Sequence, residues 1–162
     1  MEMRVASSRE VLDDYDRGTL DAAIVQRHDD RRGGETILRE TFGWISAPDY
    51  EHRPDEPLRL ASQTESCSVR KMAISTLDAA GIPWTEVFVG GGVSTIGAAV
   101  SAGLAVAALV RRVAPVGVID LGPQLNLPGL PALESVLHSN VADRQAPSSL
   151  RTLAAAIRSA AS

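Results

Sequence analysis

The chain has 162 residues, of which 44% are hydrophobic, 22% are charged and only 4% are aromatic. This composition is typical of a globular protein with an aliphatic core, built as one domain or as two small lobes. The net charge of -4 excludes the basic surface that supplies most of the affinity for a nucleic-acid backbone, and the single cysteine, Cys67, excludes an intrachain disulfide and a cysteine-built zinc site.

Neither the first residues nor the most apolar segment predicts an exported or membrane protein. MEMRVASSRE lacks the apolar core and the cleavage site of a secretory signal. The segment IGAAVSAGLAVAALV (96–110) is shorter than the roughly 20 residues that a spanning helix needs. We therefore expect a cytoplasmic protein without membrane contact.

The first part of the chain predicts a small α/β unit. A helix capped by Ser7 or Ser8 ends at Gly18. Because it lies between two strands, at 2–6 and 20–25, we expect those strands to be parallel, with a right-handed crossover. Two further extended pieces are predicted at 36–41 and 43–47, before the charged, proline-rich segment APDYEHRPDEPLRL, which is typical of a linker or hinge.

Beyond this segment a second alternation of strands and helices begins. Ser66 or Ser68 is expected to cap a helix that ends at Gly81 and Pro83. The predicted strands of this part are 58–62, 85–90 and 104–110, and a second helix follows at 94–103. After a passage rich in proline and glycine, the chain ends with a strand at 133–139 and an amphipathic helix at 148–161.

Three strand ends carry candidate ligand-binding residues, because ligands of open α/β sheets bind beyond the carboxyl ends of the strands. They are Gln26, followed by Arg27 to Asp30; Gln63, Thr64 and Ser66; and Gly91, Gly92, Val93, Ser94 and Thr95. The glycine-rich turn and its two hydroxyls suit an anion such as a carboxylate at a helix start. The alternatives are a solvated loop after Gln26, a capping role for Ser66, and a tight turn at the glycines.

The residues do not predict an enzyme or a cofactor site. The glycine pattern from 90 to 97 lacks the third glycine of a dinucleotide motif and the lysine of a P-loop. Cys67 at a helix start, with His28, His52 and His138 elsewhere, has no catalytic spacing and is more typical of a small buried residue. We expect no metal and no cofactor.

Five segments, in order and at matching separations, resemble the C-terminal effector-binding domain of LysR-type transcriptional regulators. They are RGTLDAAIV, ETFGWISA, CSVRKMAISTLDAAGIPWTEVF, AAVSAGLAVAALV and LPGLPALESVLHS. The resemblance implies an α/β, two-lobed fold like that of type 2 periplasmic binding proteins. It also implies a small-molecule effector in the cleft between the lobes, to which Trp44 contributes either a pocket wall or a core contact.

The resemblance also implies a division of the chain. The first lobe is expected at 1–47 and 133–162, the second at 58–130, and the crossovers at 48–57 and about 129–133. The family's usual first strand and helix, its winged helix-turn-helix and its linker helix do not precede the chain, so we interpret the sequence as a fragment or truncated product that contacts DNA only through the absent segment.

The family pairs its effector domains, so we expect a homodimer, within a tetramer in a full-length regulator. Two alternatives remain at this stage. One is a solute-binding protein of a transport system, and the other is a dimerisation module with a vestigial cleft.

Overall fold

The computed structural model describes residues 3–27, 33–140 and 148–159. The chain forms two compact units, one of Met1–Glu40 with Ala132–Ser162 (unit 1) and one of Thr41–Pro131 (unit 2). The helices are α1 (Ser8–Asp16), α2 (Ser68–Ala79), α3 (Val93–Ser101) and α4 (Ser148–Ser159). The strands are β1 (Ala22–Gln26), β2 (Glu35–Glu40), β3 (Phe42–Ser46), β4 (Leu58–Gln63), β5 (Trp84–Gly90), β6 (Ala107–Val110), β7 (Ile119–Asp120) and β8 (Leu133–Ser139).

Unit 1 is built on a three-stranded antiparallel sheet in the order β1-β8-β2. Helix α1 begins with a capping box, in which Ser7 and Glu10 satisfy each other's backbone amides. The apolar face of α1 packs on the alternate residues of β1 and β8 that face it. The core of this unit is Val11, Leu12, Ala23, Val25 and Val136.

The prediction of a parallel pair in this unit was wrong. Residues 3–7 precede α1 without forming a strand. Strand β1 instead pairs antiparallel with β8, from Ala22 opposite Ser139 to Gln26 opposite Ser135. The strand predicted at 20–25 is present as β1, but its partner comes from the far end of the chain, which local pattern does not reveal.

Unit 2 contains an antiparallel sheet in the order β6-β3-β7 and the parallel pair β4-β5. An isolated bridge between Leu60 and Val106 links β4 to the segment leading into β6. Strand β3 belongs to this unit because both its neighbours, β6 and β7, lie in it. The expected boundary at residue 47 therefore differs from the observed one at residue 40, and the charged segment 48–57 lies inside unit 2 rather than between units.

Two apolar clusters fill unit 2. One surrounds Trp44, Leu58 and Leu77, and the other surrounds Ile96 and Val100. The first holds α2 against the sheet and the second holds α3 against it. Both helices that follow the parallel strands are thereby fixed at their apolar faces, which leaves their first turns at the carboxyl edge of β4 and β5.

Candidate functional site

The carboxyl ends of β4 and β5 lie side by side. Gln63, the last residue of β4, is in register with Gly90, the last residue of β5. Helix α2 follows the first strand after four residues, and α3 follows the second after two, at Ser68 and Val93. Because the strands are parallel, both loops and both helix starts emerge at the same edge of unit 2, where backbone amides and helix dipoles favour a negatively charged or strongly polar ligand.

The glycine-rich turn has one glycine that packing requires and two that it does not. A Cβ on Gly90 would lie 2.5 Å from Oγ1 of Thr95 and 3.0 Å from Cε1 of Phe88, so a larger residue there would force the Thr95 side chain to move. A Cβ on Gly91 or Gly92 would meet nothing within 4 Å. Open space beside the latter two glycines leaves their backbone accessible.

The start of α3 is not capped by a side chain. Gly92 is the N-cap residue, in extended backbone, and no side-chain hydrogen bond caps it. The hydroxyl of Thr95 donates to the carbonyl oxygen of Gly92 at 2.7 Å, so that its proton is used within the turn. Val93 and Ser94 are exposed, and their amides, in the first helical turn, lie where an α-helix has no internal acceptor to offer.

The loop before α2 differs from the prediction in one respect. Ser66 does not cap the helix; the N-cap residue is Cys67, which makes no side-chain capping bond. The amide of Cys67 donates to the carbonyl oxygen of Thr64 at 2.9 Å, which closes a turn. The hydroxyls of Thr64 and Ser66 lie 3.4 Å apart and are exposed. Cys67 is half-buried rather than fully buried, because it lies at the N-terminal end of α2 and not on the face of the helix that packs against the sheet.

A small cavity lies next to these loops, within unit 2. It is lined by Trp44, Leu60, Ala61, Ser62, Gln63, Cys67, Val69, Arg70, Ala73, Ile74, Ile96, Ala108 and Leu109. Its volume of ≈ 20 Å³ accommodates about one water molecule. A ligand larger than water therefore needs the cavity to widen. The lining is mostly apolar, with Ser62, Gln63 and Arg70 as its main polar members.

Trp44 forms one wall and is held at both ends. Its indole Nε1 donates to the carbonyl oxygen of Pro128 at 2.8 Å, and its backbone amide donates to Oδ1 of Asp120 at 3.1 Å. The same Oδ1 accepts from the amide of Gly122 at 2.9 Å, while Oδ2 pairs with Arg111. Trp44 is 2% exposed and belongs to the core cluster, so it serves as a core residue and as a cavity wall.

One polar residue of the cavity lining, Arg70, belongs to an ion pair that the sequence analysis missed. Nε and Nη2 of Arg70 donate to the two carboxylate oxygens of Glu86 at 2.8 and 2.7 Å, and Ser62 donates to the same carboxylate. Hydrogen bonding from Arg70 holds the pKa of Glu86 below its ordinary value, against the opposing effect of burial. The alternation of β5, which places Glu86 on its inward face, is the signal that could have found it.

Gln26 and Arg27 lie in unit 1, at the end of β1. The amide of Gln26 donates to the hydroxyl of Ser8 at 3.2 Å. Arg27 donates from Nε to Oε2 of Glu134 at 2.8 Å and from Nη2 to Oγ1 of Thr36 at 2.9 Å. Arg27 is thus engaged within its own unit, and the predictions for His28, Asp29 and Asp30 concern residues outside the described part of the chain.

The sequence-predicted residues therefore fall into three groups. Trp44 and Gln63 line the cavity. Thr64, Ser66 and the turn from Gly91 to Thr95 lie at the carboxyl edge of β4 and β5 without lining it, and Gln26 lies in unit 1. Their roles in binding stay predictions.

Within residues 3–27, 33–140 and 148–159, no three histidine, cysteine, aspartate or glutamate side chains come together as a metal site. No helix in those same ranges has the length and apolar character needed to cross a bilayer.

Two α/β units of this kind define the class of ligand-binding domains with the periplasmic-binding-protein fold. Within that class, the family model described as LysR substrate binding domain matches residues 1–162, and the chain belongs to that family. The resemblance drawn from the five sequence segments is confirmed, as is the two-lobed α/β fold class.

The chain is similar to two curated transcriptional regulators over part of their length. It is 29% identical to the HTH-type regulator PecT of Dickeya dadantii over 127 residues, which is 78% of this chain and 40% of PecT. It is 26% identical to the HTH-type regulator DgdR of Burkholderia cepacia over 140 residues, covering 86% of this chain and 47% of DgdR. The chain thus spans less than half the length of either relative.

Solved structures share the fold. The regulatory domain of CcmR from Synechocystis, solved in complex with 2-PG, superposes with a TM-score of 0.72 at 11% identity, covering 99% of this chain and 82% of that one. The apo regulatory domain of HypT from Salmonella typhimurium gives 0.72 at 12% identity, covering 98% and 82%. At these identities the likeness concerns the fold alone.

Proposed function

We propose that this chain is the effector-sensing part of a transcriptional regulator and that it binds a small polar or anionic metabolite at the carboxyl edge of β4 and β5. The observation that carries the proposal is the pairing of two helix starts at that edge: α3 begins without a side-chain cap, and α2 begins beside the cavity. Exposed amides at a helix start bind carboxylates and phosphates. The domain acts by binding and not by catalysis.

The proposed mechanism is a shift between conformations. A ligand that binds one arrangement of the domain more tightly raises the population of that arrangement. The change then reaches a DNA-reading segment outside this chain, since a net charge of -4 gives the chain itself little electrostatic attraction for a nucleic-acid backbone. A cytoplasmic location follows from this role.

A thermal-shift screen of small carboxylates and phosphorylated acids tests the proposal. A ligand that binds only the folded protein raises its melting temperature. Replacing Gly91 by Ala places a methyl group in the open space of the turn without a steric clash, so it should weaken the shift while leaving the unliganded melting temperature unchanged. Gly129→Ala is the matched control, because its Cβ also meets nothing within 4 Å and it lies away from the turn.

Two outcomes of the screen would contradict different parts of the proposal. The absence of any ligand-induced shift across the screen contradicts effector sensing by this chain. An equal shift in the wild type, the Gly91→Ala variant and the Gly129→Ala variant would place binding away from the glycine turn.

The domain is also proposed to pair with a second copy of itself through β5. Strand β5 pairs with β4 along one side, and its outward face carries Val87 and Val89, which are 48% and 56% exposed. An edge strand with exposed valines is a ready surface for pairing. Sedimentation should show a dimer that Val87→Lys disrupts and that Val116→Lys, at another exposed valine, leaves intact; a monomeric wild type would contradict the pairing.

A further inference from the structure

The cavity of unit 2 is lined by one arginine side chain whose guanidinium group already has a carboxylate partner. Among the described residues that line it, Arg70 is the one charged side chain. Two of its N–H groups are held side-on by Glu86, and each of these two side chains is 19% exposed. Arg70 therefore contributes, with Ser62 and Gln63, to the polar part of the cavity lining, and its ion pair with Glu86 is partly withdrawn from water.

Stability alone does not account for the placement of either charge. Glu86 lies on the inward face of β5 between Trp84 and Phe88, where an apolar side chain would pack without a desolvation cost. Arg70 lies in the first turn of α2, where the helix dipole disfavours a cation. The arrangement keeps a guanidinium group next to a helix start, and such a combination suits the binding of an anion.

We propose that Arg70 recognises the anionic end of the effector and that Glu86 competes with the effector for it. The inference rests on the proposed function and narrows it to a ligand class. A guanidinium group offers five N–H donors in a fork that matches a carboxylate, so a carboxylate ligand can replace that of Glu86 with the same geometry. The apolar walls at Trp44, Leu60 and Ile96 then select a compact apolar body.

The competition also links binding to a conformational change. The pair joins α2 to β5. The ≈ 20 Å³ cavity, which α2 lines together with residues of β4 and β6, is too small for an organic acid. A ligand carboxylate that takes the place of Glu86 removes this link and allows the cavity to widen. The ligand thereby favours an open arrangement of unit 2 over the closed one, as a sensing domain requires.

The two tryptophans permit a direct measurement. Trp44 lines the cavity, whereas Trp84 does not, so Trp84→Phe leaves Trp44 as the sole tryptophan reporter. The probes are acetate, propionate and benzoate, each compared with its neutral amide. Carboxylates should change the Trp44 emission saturably, and the matching amides should bind on the order of tenfold more weakly, because a charge-assisted hydrogen bond is about twice as strong as a neutral one.

Substitutions in the Trp84→Phe background test whether Arg70 and Glu86 cause the preference for carboxylates over amides. Glu86→Gln removes the competing charge and should tighten carboxylate binding by about tenfold. Arg70→Gln with Glu86→Gln leaves no unpaired charge, so it should fold and bind acids and amides equally. Glu56→Gln is the matched control, because Glu56 forms an exposed ion pair with Arg53 at 3.1 Å in the same unit, and it should leave all affinities unchanged.

The results distinguish failure of the role of Arg70 from failure of effector binding as a whole. If acids and amides bind equally to the Trp84→Phe protein, or if Glu86→Gln does not tighten the acids, the role of Arg70 is overturned while effector binding stands. If no probe binds to the Trp84→Phe protein or to its Glu86→Gln form, and the wider thermal-shift screen also finds no ligand, effector binding and the role of Arg70 fall together.

Discussion

Two ion pairs of the same composition occupy different environments in the two units. In unit 2, Glu86 accepts from Arg70 and from the hydroxyl of Ser62. In unit 1, Glu134 accepts from Arg27 and from the hydroxyl of Thr36. Each network joins a carboxylate, an arginine and a hydroxyl, so the chemistry is matched.

The two ion pairs differ in how much of their side chains is exposed to solvent. The side chains of Arg70 and Glu86 are each 19% exposed, whereas those of Arg27 and Glu134 are 36% and 37% exposed. Arg70 is held by two parallel hydrogen bonds from its fork, while Arg27 makes one bond to its carboxylate. Because solvent screens the more exposed pair, we expect the unit 2 pair to contribute more to the free energy of unfolding than the unit 1 pair, although their chemical groups are the same.

The largest expected effect comes from removing the carboxylate of unit 2. Glu86→Ala leaves Arg70 partly buried without its acceptor and should lower the free energy of unfolding by about 2 kcal/mol at neutral pH. Urea unfolding followed by tryptophan fluorescence measures it, since both tryptophans lie in unit 2. Glu134→Ala, followed by circular dichroism, should leave the midpoint unchanged; equal shifts in both variants would remove the distinction between the two pairs.

The next effect is on pH dependence. The pKa of Glu86 is lowered from 4.5 in the folded protein, chiefly by hydrogen bonding from Arg70. A carboxyl group with a lowered pKa stabilises the fold fully above its unfolded pKa, and this stabilisation is lost as the pH falls through the folded pKa. Between about pH 6 and about pH 3 the wild type should therefore lose more stability than Glu86→Gln does. Parallel acid sensitivity in the two proteins would contradict a folded-state role for the pair.

A smaller effect is expected from the hydroxyl partners. Ser62→Ala removes one donor to Glu86 and should lower the free energy of unfolding by about 1 kcal/mol. Thr36→Val removes the matching donor to Glu134, whose oxygen lies 3.2 Å away at an exposed site, and should have no measurable effect. Thermal unfolding by circular dichroism compares them, and a larger shift for Thr36→Val would reverse the expected order.

The smallest effect is expected from Arg27→Gln. Water and salt replace much of what Arg27 supplies to Glu134, so the unfolding midpoint should fall slightly at low salt and be unchanged at high salt. Urea titrations at the two salt concentrations measure this difference. A loss that persists at high salt would show that the unit 1 pair is not screened as its exposure implies.

Much of unit 2 was predictable because its signals are local. The helices after β4 and β5, and the strands themselves, follow from apolar periodicity and from Gly81 and Pro83, and the structure has them within a few residues. The common edge of the two loops follows from the parallel pairing of neighbouring strands. The helix start was less predictable, since Cys67 rather than a neighbouring serine occupies the N-cap position.

Other features depended on residues far apart in the chain. Pairing of β1 with β8 joins residues 22–26 to 135–139, and pairing of β3 with β6 and β7 moves β3 into unit 2. Asp120, which holds the backbone of Trp44, lies on a two-residue strand that the proline-rich context concealed. Such contacts produce no hydrophobic periodicity in either of the two segments that form them, so neither segment predicts them by itself.

The sequence by itself determined the family, the fold class, most of the helices and strands, and the loops that end the parallel strands, because each depends on short-range spacing and on segments in a recognisable order. Tertiary structure alone decided the strand partners, the unit boundary and the engagement of Arg70 by Glu86. The physical reason is that an ion pair and a sheet register are properties of two distant segments brought together, and their energies depend on the burial that only packing creates.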